Sequence, residues 1–187
     1  MTIFHHRLAN GADIPAIRDL MARAIATNQQ GFLTPAQIVA SNTVMGLDTQ
    51  LIEDGTYFLI LRDEQIVGQI VGRIVGCGGW SARATLYGGD HSAALRDPKP
   101  LNPLVDAARV RAMYTDPDYV RQGVGRRILA LCESAAQEAG FSRAEMMATL
   151  SGVPLYEASG YVPVEAIETP PVNGVTVPLI RMAKALG

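Results

Sequence analysis

Apolar residues recur along this chain with two periods, and the switches between them mark out its elements. Residues 3–8 alternate and suit a short opening strand. Ile14, Ile17, Leu20, Met21, Ala24 and Ile25 then fall at helical spacing, with Asp13 placed as the N-cap and Pro15 in the first turn. Thr34-Pro35 repeats that start signal and predicts a second helix through about Met45, after a polar linker from Thr27 to Leu33. Tyr57 to Leu61 and Ile66 to Val75 read as a hairpin that turns at Arg62-Asp63-Glu64-Gln65. A glycine-rich and then proline-rich stretch, 76–106, is expected to be irregular; loops of that length in a compact domain are usually functional or disordered.

The second half is more regular. Ala108 to Thr115 predicts a strand, and the segment from Gly123 to Ala139 a helix whose buried stripe is Ile128, Leu131, Cys132, Ala135 and Ala139. Phe141 to Thr149 reads as another strand and Gly152 to Ser159 as a short helix closed by Gly160. Tyr161 to Glu165 and Val175 to Met182 are the last strands, joined by a turn with Pro170-Pro171 and Asn173-Gly174. This order predicts an α/β (α+β) fold: one domain, 1–187, with a central mixed sheet of about seven strands, helices on both faces and an irregular insertion at about 76–106.

Composition narrows the function classes. The 187 residues are 48% hydrophobic and 18% charged, which argues against disorder. A net charge of −2 gives no reason to expect a nucleic-acid or anionic-membrane surface. The start lacks a signal-peptide core and no apolar run reaches the ~18 residues of a membrane span, so the expectation is a cytoplasmic protein. Cys77 and Cys132 lack metal-ligand spacing and read as buried free thiols. His5 and His6, adjacent on a strand, point to opposite faces, and His91 sits in the irregular stretch; no metal is expected.

The chemistry concentrates in Tyr114 to Arg127. A glycine-rich turn feeding a helix offers unpaired N–H groups and the positive end of the helix dipole, and Arg121, Arg126 and Arg127 add to that field. The segment therefore reads as a phosphate grip. A mononucleotide P-loop would close on Lys-Ser or Lys-Thr where Arg126-Arg127 stands, and a dinucleotide fingerprint would need Gly or Ala where Ile128 stands.

Arg121-Gln122-Gly123-Val124-Gly125 before an amphipathic helix resembles the pyrophosphate loop of the GCN5-related N-acetyltransferase (GNAT) superfamily. Leu155-Tyr156-Glu157-Ala158-Ser159-Gly160-Tyr161 resembles that family's Tyr-x-x-x-Gly-Phe/Tyr block, and the predicted element order is also the GNAT order. The resemblance implies an acyl-CoA N-acyltransferase fold and an enzyme, an acetyl-CoA-dependent N-acetyltransferase, acting on an amine acceptor without an acyl-enzyme. It implies that Arg121, Gln122, Gly123, Val124, Gly125 and Arg126 hold the pyrophosphate, and that Met113, Tyr114 and Thr115, on a bulged strand, hold the pantetheine arm and polarise the carbonyl. Thr149, where Asn often stands, would supply one hydrogen bond to the cofactor, and Tyr156 would be the general acid towards sulfur. Val120 replaces the usual first Arg or Gln of the loop.

Other assignments stay open. Arg109 and Arg111 occupy the strand region where some members carry a base, which leaves a water relay or Glu145. The resemblance places the acceptor pocket at about 24–46 and 165–176; Trp80, Leu86, Tyr87, Asp90 and His91 are candidate walls, and Glu53, Asp54 and Asp90 candidate attractors of a cationic amine. Homodimer formation, a longer acyl group, and a non-catalytic acyl-CoA-binding module of the same fold are the open alternatives.

Overall fold

Seven strands form one mixed sheet in the order β1-β2-β3-β4-β5-β7-β6. A computed structural model describes residues 4–66 and 69–187, with the backbone alone at 65, 66 and 69–71. The strands are β1 (Phe4–Leu8), β2 (Tyr57–Ile66), β3 (Gln69–Ser81), β4 (Ala108–Thr115), β5 (Arg143–Thr149), β6 (Val162–Glu168) and β7 (Pro178–Ala185). The helices are α1 (Ile14–Asn28), α2 (Pro35–Ser41), α3 (Thr49–Glu53), α4 (Val124–Glu138) and α5 (Val153–Glu157). Only the β4–β5 pair is parallel; the other neighbours are antiparallel. Among the described residues no helix is long and apolar enough to cross a membrane.

Two layers of side chains cover the sheet. Ile17, Leu20, Met21 and Ile25 of α1 pack with Leu59, Cys77 and Tyr114 on one face. Ile128, Leu129, Cys132 and Ala136 of α4 pack with Ile60, Val75, Val110 and Met146 in the cluster on the other. The α4 stripe is thus rotated from the sequence expectation: Leu129 and Ala136 are buried, Leu131 and Ala135 half-buried and Ala139 exposed. Both cysteines are buried and free.

Several expected boundaries move. Arg62 to Gln65 lie inside the β2–β3 ladder, which continues to Ile66↔Gln69, so they are not the turn; residues 67 and 68, like Ile3 of the opening strand, lie outside the described residues. Asp13 holds the N-cap position of α1 as expected, but its side chain makes no capping bond there; it accepts instead from Asn10 N, and the Asn10 side chain accepts from Ala12 N at 2.9 Å to cap the 3₁₀ turn over Gly11–Asp13 that leads in. The second helix ends at Ser41 rather than Met45, and α3 is an element that the sequence pattern does not announce. The final strands run later than expected, over 162–168 and 178–185.

Gly76 to Ser81 continue β3 instead of opening the irregular stretch. Their glycines mark close approach. A Cβ on Gly76 would lie 2.4 Å from Val124 Cγ1, and one on Gly78 2.6 Å from Ile128 Cγ2. Here α4 presses directly on the backbone of β3, which fixes the helix's start against the sheet.

Candidate active site

β4 and β5 pair only at Ala108↔Ala144 and Arg109↔Glu145. Beyond that point they part, and a cleft of about 800 Å³ opens between them. From Val110 to Thr115 the β5-facing edge of β4 has no ladder partner among the described residues, which leaves an edge able to pair with an extended ligand, although side chains already bond the Ala112 and Thr115 carbonyls.

β4 is also bulged. Cys77 pairs with Tyr114 and Gly79 with Arg111, so Ala112 and Met113 together face Gly78. Ala112 takes a φ of 51°, and the side-chain alternation slips there: Val110 and Met113 pack with the α4 layer, Ala112 and Tyr114 with the α1 layer. The buried Tyr57 donates its hydroxyl to the Ala112 carbonyl at 2.8 Å, which holds the distortion in place.

Past β4 the chain turns sharply into α4. The Asp116 side chain accepts from Asp118 N at 3.1 Å and caps a 3₁₀ turn over Pro117–Tyr119. Arg121 (φ 62°) and Gly123 (φ 83°) then take left-handed backbone conformations. For a non-glycine residue such as Arg121 that costs about 1–2 kcal/mol, a local strain of the kind found at ligand clamps. The first backbone bond reaching back into the turn is Arg127 N to Gly123 O at 3.0 Å, so the amides of Val124, Gly125 and Arg126 precede it. These three residues line the cleft beside Arg121. The arrangement is suited to gripping a phosphate.

On the opposite wall stands Tyr156 of α5. Its hydroxyl makes one weak contact among the described residues, to Met113 Sδ at 4.0 Å. Burial pushes the phenol up to about 12, and the Cys132 thiol adds to the shift, so the group holds its proton at neutral pH. A Cβ on Gly152 would come within 2.7 Å of the ring, so the glycine makes room for it. The cleft thus faces the unladdered edge of a bulged strand, with a phenol proton donor in reach.

Residues 53–163 match the acetyltransferase (GNAT) domain family. The chain belongs to the GNAT family. The match takes in β4, the turn, α4 and Tyr156. Known structures share the fold at low identity. A GCN5-related N-acetyltransferase from Rhodopseudomonas palustris aligns over 100% of this chain and 98% of its own at 16% identity, with a TM-score of 0.66. The paia N-acetyltransferase of Thermoplasma acidophilum, solved with coenzyme A, aligns over 98% and 99% at 10% identity and a TM-score of 0.60. An N-acetyltransferase from Staphylococcus aureus aligns over the whole of both chains at 12% identity and a TM-score of 0.60. Among curated proteins, none matches this sequence.

Of the positions that the GNAT resemblance singled out, Gln122 stands apart: its amide donates to the Asp118 carbonyl at 3.1 Å and it does not line the cleft. Met113, Tyr114, Thr115, Arg121, Gly123, Val124, Gly125, Arg126, Thr149 and Tyr156 all do. Tyr114 points its ring into the α1 layer, and its hydroxyl accepts from Gly46 N at 2.9 Å. Burial raises its phenol. The Thr115 carbonyl accepts from Asn28 Nδ2 at 2.8 Å, which ties the end of β4 to α1.

Glu145 is placed at the closed end of the cleft, where its carboxylate is held by Arg109 at 2.5 Å, and it does not line the opening. Of the expected acceptor walls, Leu86 and Tyr87 line the cleft. Trp80 is instead core, edge-on to Phe141 at 6.0 Å, and Asp90 and His91 border a separate shallow depression against α1. Among the described residues none of 165–176 lines the cleft, which takes Leu179 of β7 instead; residues 24–46 contribute Ala24, Asn28, Gln29, Phe32, Val44, Met45 and Gly46. Asp54 is paired with Arg83 at 2.7 Å, and Asp54 and Glu53 both lie outside the cleft. Among the described residues no group of three His, Cys, Asp or Glu side chains could hold a metal ion.

Two features have no signal in the sequence. One is a polar bridge across the cleft: Thr149 Oγ1 lies 3.2 Å from Ser151 Oγ, which donates to Oε1 of the buried Gln29 at 3.1 Å. The other is Asp116. It is fully buried and accepts from Arg23 of α1 (3.1 and 2.9 Å) and from Arg73 of β3 (3.0 Å). Burial works to raise this carboxyl, but the two guanidiniums and the Asp118 amide hold it below the usual carboxylate range.

Proposed function

We propose that the protein is an acetyl-CoA-dependent N-acetyltransferase that moves an acetyl group directly to a primary amine of a small molecule or of a peptide or protein. The observation that carries this reading is the order of features along one cleft: open helix amides with two arginines, then a bulged strand with one unladdered edge, then a phenol donor. In this reading the amides of Arg121 to Arg126 and the two guanidiniums hold the cofactor's diphosphate. The free edge of β4 at Met113 to Thr115 pairs with the pantetheine arm as an added strand would. A backbone N–H of the bulge polarises the thioester carbonyl. The Tyr156 hydroxyl donates to the sulfur as negative charge grows there, and Thr149 supplies a hydroxyl to the cofactor.

The test is release of free thiol from acetyl-CoA across a panel of primary amines at several pH values. Amine-dependent release is expected. Tight acetyl-CoA binding with no release from any amine would instead make the protein a non-catalytic acyl-CoA-binding module.

Gly123 gives a narrower check. A Cβ there would touch nothing within 4 Å, so an Ala substitution acts through the backbone alone. Ala tolerates φ 83° poorly, at a cost of roughly 1–2 kcal/mol. If the turn relaxes, the amide cradle is lost. Gly123→Ala is expected to weaken acetyl-CoA binding about tenfold in a calorimetric titration while the thermal midpoint falls by no more than about 2–8 °C.

A further inference from the structure

The acetyltransfer reading leaves the acceptor open, and the wall it must face has a distinct chemistry. Beyond the bulge the cleft is bounded by Phe32, Met45, Leu86, Tyr87, Met147 and Leu179, contributed by the α1–α2 turn, the loop after α2, the stretch after β3, and strands β5 and β7. Phe32 is 48% exposed, a large apolar side chain held at the rim. The charged side chains lining the cleft, among the described residues, are three guanidiniums: Arg121 and Arg126 at the phosphate turn, and Arg111 on β4.

Arg111 is already engaged. It is buried, pairs with the buried Asp48, and donates to the Gly88 carbonyl at 2.5 Å, while Arg96 binds the other oxygen of Asp48 at 2.7 Å. The neighbouring carboxylates are likewise occupied. Asp90 is hydrogen-bonded by Thr49 at 2.9 Å, Asp116 by Arg23 and Arg73, and Glu145 by Arg109. The titratable groups on the cleft wall besides the arginines are Tyr87, Tyr114, Tyr119 and Tyr156. An ammonium entering against this apolar wall would lose water under the field of guanidiniums, and among the described residues that line the cleft there is no carboxylate to meet it.

Resting on the acetyltransfer reading, we infer that the acceptor is a primary amine carried on an apolar body with no second cationic centre, and that it enters the cleft as the free base. Its nitrogen lone pair forms the N–C bond and the C–S bond breaks with its electron pair on sulfur. The proton lost from nitrogen leaves to water, and sulfur gains one through the Tyr156 hydroxyl and solvent, so amide and free thiol are the products. The proton that an ammonium must shed before attack goes to bulk water. Below the acceptor's own pKa, kcat/KM therefore rises tenfold per pH unit, and it levels above that pKa.

The experiment measures kcat/KM for thiol release with the full chain, using phenylethylamine, hexylamine, spermidine and glucosamine, and then phenylethylamine against its β-fluorinated, less basic analogue across pH. The two apolar amines are expected to exceed spermidine and glucosamine by at least about tenfold, and the rising limb to move to lower pH with the fluorinated acceptor. Preference for spermidine or glucosamine, or a limb at the same pH for both phenylethylamines, would overturn this inference and leave acetyltransfer standing. Acetyl-CoA binding with no release from any amine would overturn both. Phe32→Glu, at an exposed position, is expected to lower kcat/KM for phenylethylamine about tenfold with acetyl-CoA affinity unchanged; an unaltered value would contradict the assignment of this wall to the acceptor.

Discussion

Tyr156→Phe is expected to lower turnover roughly 10²-fold while acetyl-CoA affinity stays close to that of the unaltered protein. The substitution removes one hydroxyl and keeps the ring, so the edge-on packing against Tyr161 at 6.2 Å survives. The hydroxyl has little structural work to lose, since its contact is the distant Met113 sulfur. A stability cost near zero combined with a large loss of turnover is the signature of a group that acts on the reacting atoms. A phenol held up to about 12 is a hydrogen-bond donor at neutral pH rather than a ready source of free protons. In the proposed mechanism its contribution is to meet charge on sulfur as the bond breaks. Steady-state kinetics with a calorimetric titration would check this, and unaltered turnover would remove Tyr156 from the mechanism.

Asp116→Asn carries the second large effect, on stability and on the cofactor site together. The change keeps the shape and an oxygen for the Asp118 amide but removes the charge shared by Arg23 and Arg73. Removing one partner of a buried pair costs about 3–5 kcal/mol; both arginines reach solvent here, 46% and 37% exposed, which lowers the expectation to about 2–3 kcal/mol. The thermal midpoint should fall by roughly 5–10 °C. Acetyl-CoA binding should weaken as well, because Asp116 fixes the entry to the turn that ends at Gly123. The pH dependence has a definite sign. This carboxyl lies below its unfolded value of about 3.9, so its stabilisation is present above that value and is lost as pH falls through the folded pKa. The gap in stability between the unaltered protein and Asp116→Asn should therefore narrow below about pH 4.

The parts of the site whose residues are close neighbours along the chain are legible in the sequence itself. Strand, glycine turn and amphipathic helix are local signals, and Ala108 to Ala139 shows all three in succession, with the turn and its arginines between Tyr114 and Arg127. The Tyr156 block is equally local. The features that stay hidden depend on partners far along the chain. Asp116 reads as an ordinary turn residue until Arg23 and Arg73 arrive from α1 and β3. Gln29 falls in a polar linker, yet it is buried because Ser151, distant in sequence, supplies its hydrogen bond. The glycines from Gly76 to Gly79 mimic a loop because their lack of side chains is needed for α4 and Tyr57 to approach. Met45 and Leu179 join one wall by packing alone, which no spacing rule encodes.

The position of acetyl-CoA decides between these roles and any others, and a crystal structure of the complex tests it most directly. It should show the diphosphate within hydrogen-bond distance of the backbone amides between Arg121 and Arg126, the pantetheine arm along the free edge of β4, and the thioester between the Met113 backbone and the Tyr156 hydroxyl, with Phe32, Leu86 and Met147 on the acceptor side, clear of the cofactor. A cofactor bound away from the β4–β5 cleft, or with its thioester out of reach of both Met113 and Tyr156, would contradict it.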